Sequence, residues 1–170
     1  MSAEERREEI LTLLKKYKSP IIARELAERF NVSRQVIVGD IALLRAAGQS
    51  IYSTPKGYVM REEKTKGMTT QLVCVHRREE TREELYTIVD CGCEVLDVIV
   101  EHPFYGMIRG DLNISSRLEV DEFLERIEAT ETSLLSTLTH GIHTHTIRVR
   151  DEKTLGKLTS ALKEKGYLYE

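Results

Sequence analysis

The sequence predicts an α+β protein of two domains: an N-terminal winged helix-turn-helix, then a C-terminal α/β sandwich with helices packed on a small sheet. Three observations carry that prediction. Apolar residues recur at helical spacing over the first 48 residues, then give way to two short β-prone runs around a Pro/Gly turn. Beyond residue 70, β-prone runs alternate with helical stripes. The charge also changes sign: residues 1–66 hold 13 Lys/Arg against 9 Asp/Glu, a net of +4, and residues 67–170 hold 12 against 19, a net of −7. The boundaries fall at 1–62 and 70–170, joined by a polar linker, 63–69, that contains Gly67.

Taken whole, the 170 residues carry a net charge of −3, which argues against a nucleic-acid binder. The division removes that objection for the first domain. Hydrophobic residues make up 41% and charged residues 31%, which excludes disordered and collagen-like classes. No apolar run approaches the roughly 20 residues that span a bilayer. Glu4, Glu5, Arg6, Arg7, Glu8 and Glu9 open the chain, unlike an export signal. The cysteines are Cys74, Cys91 and Cys93, an odd, low count that fits a reducing cytoplasm. A cytoplasmic protein with no membrane partner is expected.

The first domain reads as three helices and a hairpin. Ile10, Leu11, Leu14 and Tyr17 form one stripe, and Pro20 ends that helix near Lys18. A short helix over 23–29 presents Leu26 and Ala27, with Phe30 beyond. Asn31 after it tolerates the left-handed conformation that closes many helices. Ser33 is the expected N-cap of a third helix with a buried stripe of Val36, Ile37, Ile41 and Leu44 and a C-cap at Gly48. Two helices on so short a turn make a helix-turn-helix. Residues 51–53 and 58–60 then flank Thr54-Pro55-Lys56-Gly57 as a β-hairpin wing.

This arrangement suits double-stranded DNA. The third helix fits the major groove, where Arg34 can pair with guanine and Gln35 with adenine through two hydrogen bonds each. Backbone N–H groups near Ser33 suit a phosphate, and Lys56 at the hairpin tip suits another. Asp40 reads as a helix-surface partner for a Lys or Arg. The stretches VSRQVIVGDIALLRAAG (32–48) and IYSTPKGYVM (51–60) resemble the winged-helix domain of the biotin-repressor-like class of bacterial regulators. That resemblance implies a transcription factor.

The second domain opens with a β-prone run over 70–76. A helix follows over 82–90, with Leu85, Ile88 and Val89 at helical spacing. Cys91-Gly92-Cys93 reads as a turn. The apolar run 95–100 is short enough for a central strand, and 105–114 for another. Ser115 or Ser116 caps a helix with Val120, Phe123, Leu124 and Ile127 in its stripe. Residues 142–149 alternate as a half-buried strand does. Asp151 precedes a helix carrying Leu155, Leu158, Ala161 and Leu162, and 167–169 form a last short strand.

The histidines carry the chemistry. His143-Thr144-His145 in a strand places both imidazoles on one face, about 6–7 Å apart along the chain, where they can share a metal ion. His76 ends the first strand and Glu84 lies on the next helix, so both can face the same place. Three imidazoles and one carboxylate suit one divalent transition ion per chain, zinc or nickel. The plainer alternative is a pair of half-exposed strand histidines. His140, beside Gly141, reads as a turn. His102 heads EHPFYG (101–106) after the 95–100 strand, where polar residues often line ligand sites. Phe104 and Tyr105 there can stack on a flat ring.

The segments VEHPFYGMIRGDL (100–112) and HTHTI (143–147), with His76 ahead of an acidic helix, resemble the three-histidine (3H) domain. Together with the winged helix, over about residues 5–170, they resemble the niacin-responsive repressors of NAD biosynthesis and niacin uptake. The resemblance implies a homodimer with nicotinic acid as co-repressor. It also implies operators upstream of NAD-synthesis or niacin-transport genes. Its metal ligands carry over to His76, Glu84, His143 and His145, and its central histidine to His102, whose role stays open. Nicotinate is a flat anion. In an acidic domain its carboxylate needs local help from the metal, His102, a backbone N–H cluster or Arg109, and Tyr105 or Phe104 can stack on its ring.

Two other classes stand beside this one. In a metal-dependent hydrolase, Glu84 would act as a base rather than a ligand. The chain holds no Gly-x-Ser-x-Gly, no phosphate-binding loop and no Cys-His pair at a known spacing, so no enzyme is expected. In a metal-sensing repressor, the ion bound by the same four residues would itself be the signal.

Overall fold

The computed structural model describes residues 1–60 and 67–170. The chain divides into two compact units, Met1–Lys64 and Thr65–Glu170. The first four residues of the expected linker, 63–66, lie outside the described residues, and its end is already strand.

The first unit holds α1 (Ala3–Lys16), α2 (Ala23–Phe30), α3 (Arg34–Ala46), β1 (Ile51–Thr54) and β2 (Gly57–Met60). A capping box starts α1: the Ser2 hydroxyl accepts from the Glu5 N–H at 3.1 Å, and Glu5 accepts from the Ser2 N–H at 2.6 Å. Asn31 closes α2 at φ 52, and Ser33 caps α3 by accepting from the Val36 N–H at 3.3 Å. Ile10, Leu14, Leu26, Ile37 and Ile41 fill the core. The wing is anchored by Ile21, which pairs with Tyr58 through N–H···O bonds of 2.9 and 2.8 Å. Gly57 sits at φ 125, and a Cβ there would lie 2.4 Å from the Ile21 carbonyl oxygen, so only glycine lets the wing close on that segment.

Two expectations for α3 change. Val36 is not part of the buried stripe, which runs Ile37, Asp40, Ile41 and Leu44; it is 38% exposed. Asp40 takes its place. It is an arginine partner, as expected, but a buried one. Arg6 Nε donates to it at 2.6 Å and Arg6 Nη2 at 3.2 Å, with Arg7 at 3.5 Å. The fork ties α1 to α3, and removing the carboxylate would strand the arginine beside an apolar core.

The second unit runs β3 (Met68–Val75), α4 (Thr81–Asp90), β4 (Glu94–His102), β5 (Gly106–Ile114), α5 (Arg117–Ala129), β6 (Ile142–Val149) and α6 (Glu152–Glu164). Short 3-10 turns lie at Arg78–Glu80 and Leu135–Thr139. The sheet order is β3-β6-β4-β5, and every pairing is antiparallel. Residues 167–169 make only one isolated bridge, Leu168 to Cys74. Along β6 the side chains of His143, His145, Ile147 and Val149 are buried and their neighbours are not, the period-two pattern of a sheet with one covered face. α4 packs against α5, α6 and β4, and α6 against β6. Ile88, Val95, Ile114, Ile147 and Leu158 form the centre. No helix among the described residues is long and apolar enough to cross a membrane.

Replacing Asp40 by Ala is expected to lower the melting temperature clearly, and by Asn less. Glu28→Ala, which breaks the exposed Arg24–Glu28 pair, leaves it nearly unchanged. Thermal denaturation followed by circular dichroism checks the contrast.

Candidate functional site

Glu84 is buried at 1% exposure and lies one turn into α4. Its carboxylate is the point on which three histidines converge. His143 Nε2 lies 3.0 Å and His145 Nε2 3.1 Å from Oε1, and His76 Nε2 contacts Oε2. The strand alternation places His143 and His145 on the covered face, and the β3–β6 pairing brings β3 alongside. His76 follows directly after β3, so the register delivers it to the same place.

The other ring nitrogens explain the orientation. His76 Nδ1 bonds the Arg77 carbonyl at 2.7 Å, His143 Nδ1 the Gly141 carbonyl at 2.7 Å, and His145 Nδ1 the Asp97 carbonyl at 2.8 Å. A carbonyl only accepts, so each Nδ1 carries the proton in these bonds. Each Nε2 of a neutral ring then aims a lone pair at a carboxylate, acceptor against acceptor. Either extra protons or a cation must occupy the centre. Backbone-anchored imidazoles with inward Nε2 atoms are the usual second-layer arrangement of a metal site. The donor set of three imidazoles and one carboxylate therefore fits a divalent transition ion.

Electrostatics point the same way. Burial pushes the Glu84 carboxyl up, but the charge of His145 and the hydrogen bonds of His143, His145 and His76 outweigh it and hold the group well below the usual carboxylate range. Burial depresses His76 and His145, but their hydrogen bonds to Glu84 and its charge raise both above an ordinary imidazole.

One neighbour was invisible to sequence reasoning. Cys74 is fully buried, and its Sγ, a Glu84 oxygen and a His143 nitrogen all lie within 4.8 Å of one another. The signal was its position two residues before His76, the spacing that shares a strand face. It acquires meaning only once Cys74 is paired with His143 across the sheet. Burial drives its thiol far above the ordinary range, as does the Glu84 charge.

The residues expected around the effector are distributed differently. His102, Phe104 and Tyr105 lie at the β4–β5 hairpin, with Phe104 91% and Tyr105 81% exposed. His102 Nδ1 accepts from the Phe104 and Tyr105 N–H groups at 3.1 and 3.2 Å, which shapes the turn. Arg109 pairs with Asp97 at 2.8 Å and Asp111 at 3.4 Å. Asp97 also accepts from the Thr146 N–H at 2.9 Å and orients His145 through its carbonyl. Arg109 thus braces the cluster from behind. His140, at φ 54, caps a 3-10 turn. A cavity of about 240 Å³ opens beside the cluster. His76, Glu84, His143 and His145 form part of its wall, and Leu85, Leu112, Phe123 and Leu134 another part.

In the first unit Ser33, Arg34 and Gln35 are exposed at the start of α3, and Lys56 is exposed at the wing tip. Val38, 37% exposed, lies one turn after Arg34 on the same helix face and can meet a thymine methyl group.

Residues 69–170 match the 3H domain, and residues 6–59 match an HTH domain. The chain is 44% identical over 167 residues to the probable transcription repressor NiaR of Thermotoga maritima, covering 98% of this chain and 95% of that protein. It is 42% identical over 166 residues to the transcription repressor NadR of Bacillus subtilis, covering 96% and 92%.

Gly141 provides a direct test of the site's architecture. At φ 91, a Cβ on Gly141 would lie 2.2 Å from the His76 carbonyl oxygen. Gly141→Ala is expected to destabilise the second unit by roughly 2 kcal/mol or more and to weaken any binding of nickel or zinc by the cluster about 10–100-fold. Urea denaturation and a titration with nickel or zinc measure the two effects.

Proposed function

Because this chain belongs to the 3H-domain family of transcription repressors, we propose that it represses NAD-biosynthesis or niacin-uptake genes with nicotinic acid as co-repressor. It acts as a DNA-binding regulator, not as an enzyme. The observation that carries the effector reading is the buried His–Glu cluster with a small cavity at its side. A sensor that answered to the ion alone would need no such cavity.

His76, Glu84, His143 and His145 would hold one divalent ion, nickel or zinc. When bound, the ion supplies positive charge that offsets Glu84 and lets the site accept an anion. Arg109 and Asp97 keep His145 in its tautomer. The homodimer would present two α3 helices to the two halves of a palindromic operator. Nicotinate binding would favour the arrangement whose spacing matches that operator, a coupling of about 1–3 kcal/mol for this kind of population shift.

A gel-shift on DNA from the gene's own upstream region tests the reading. Nicotinate is expected to tighten binding about 5–150-fold, nicotinamide and NAD to do less, and chelator to abolish the response. Metal alone switching the complex, with nicotinate silent, would replace this reading with metal sensing. Arg34→Ala is expected to cost about 1–3 kcal/mol and to relax preference at one base position, while Lys56→Ala lowers the salt slope by about 1 per subunit.

The raised His76 and His145 keep protons on the metal-free cluster to a higher pH than ordinary histidines do. Metal must displace those protons, so its apparent affinity rises with pH through and above the usual histidine range. Calorimetry in buffers of different ionisation heat reads the protons released; no release would count against the assigned ligands.

A further inference from the structure

The cavity beside the cluster contains a polar atom that its surroundings leave unsatisfied. Thr81 lines the cavity and is 7% exposed, and its Oγ1 has no hydrogen-bond partner among the described residues. Other helix threonines here bond back to a carbonyl one turn earlier, Thr87 to Glu83 at 2.7 Å and Thr159 to Leu155 at 2.8 Å. Thr81 is the first residue of α4 and follows the 3-10 turn Arg78–Glu80; its N–H bonds the Arg78 carbonyl, but its hydroxyl bonds no carbonyl of that turn. Native interiors seldom keep an unpaired hydroxyl without a use for it.

Its position relative to the cluster is specific. Thr81 lies three residues before Glu84, so both project from one side of α4 with Cβ atoms roughly 5–6 Å apart. Both line the same cavity, whose walls include Leu85, Leu112 and Phe123. The cavity therefore offers a polar cluster, an apolar lining and, one helical turn from Glu84, a hydroxyl without a partner among the described residues. Its volume, about 240 Å³, suits a single six-membered ring with one substituent. A ring with an acid group and an acceptor nitrogen within the ring matches these features. Nicotinate has both, because its pyridine nitrogen is an unprotonated acceptor at neutral pH. The exposed His102–Tyr105 hairpin offers no comparable enclosure.

We propose that, in this cavity, the Thr81 hydroxyl donates a hydrogen bond to the ring nitrogen of a pyridine carboxylate whose acid group the His–Glu cluster holds. Thr81 is then the residue that distinguishes a pyridine carboxylate from a plain aromatic acid. The assignment rests on the reading of the chain as a nicotinate-responsive repressor. Benzoate supplies the comparison, since it keeps the shape and charge and replaces the nitrogen by C–H.

Isothermal titration of the full-length, metal-loaded protein with nicotinate and benzoate decides it. Wild type is expected to bind nicotinate about tenfold more tightly than benzoate. Thr81→Val is expected to bring nicotinate down to the level of benzoate, leave benzoate unchanged, and keep or raise the ligand-free melting temperature, because the unsatisfied hydroxyl is gone. Thr81→Ser restores the preference. Ser133→Trp, at the exposed rim of the cavity, blocks both ligands without altering α4. Nicotinate bound equally by wild type and Thr81→Val, or by wild type and Ser133→Trp, overturns the site while leaving the co-repressor reading intact. Equal losses for both ligands in Thr81→Val overturn the role of the hydroxyl. No nicotinate binding to wild type, with no effect on operator affinity, sinks the co-repressor reading and this site with it.

Discussion

The second unit is organised around one buried anion. Glu84 has 1% of its surface exposed, and a carboxylate in that position loses most of its hydration. It stays charged only because three imidazoles surround it and keep its proton affinity low. Every neighbouring element contributes to that environment. α4 carries the carboxylate, β6 carries two histidines, and the end of β3 carries the third. Removing any one imidazole leaves a buried charge short of a partner, which is far more costly than the pair is stabilising.

The histidines are held by the backbone rather than by one another. Three carbonyls, from Arg77, Gly141 and Asp97, take the three Nδ1 protons and so fix which nitrogen faces Glu84. Gly141 acts twice, as the acceptor for His143 and as the close neighbour of the His76 backbone. Asp97 acts twice as well: its carbonyl orients His145 and its side chain joins β4 to β6 and to Arg109. Such anchoring sets the ring orientations before any ion or ligand arrives, which lowers the ordering cost of binding. The cavity shares this wall, so a ligand there meets rigid polar groups on one side and apolar side chains on the other.

The two units divide the electrostatic work. A net of −3 over the whole chain hides +4 in residues 1–66 and −7 in residues 67–170. The first unit is only modestly basic, and two of its arginines, Arg6 and Arg7, are engaged with Asp40 rather than free to meet DNA. Few positive groups therefore remain at the start of α3 and the wing tip. In the proposed homodimer, a grip on both half-sites would compensate for weak contact by each copy.

Local order was legible in the sequence because it is written in neighbouring residues. Helical spacing, Ser33, Asn31, the Pro55-containing turn and the His-x-His alternation each depend on positions a few residues apart. The four cluster residues were also legible, since His76 and Glu84 are joined by one turn and His143 and His145 by strand period. What only the tertiary structure decided depends on contacts across the sheet. Pairing β3 with β6 made Cys74 a neighbour of the cluster, and contact with Arg6 of α1 made Asp40, not Val36, part of the buried face of α3. The hairpin of His102, Phe104 and Tyr105 has ligand-like chemistry in sequence, yet the strands carry its aromatic side chains out to solvent. Strand order and register are long-range choices among many pairings, and one-dimensional spacing holds no record of which hydroxyl, such as that of Thr81, is left without a partner among the described residues.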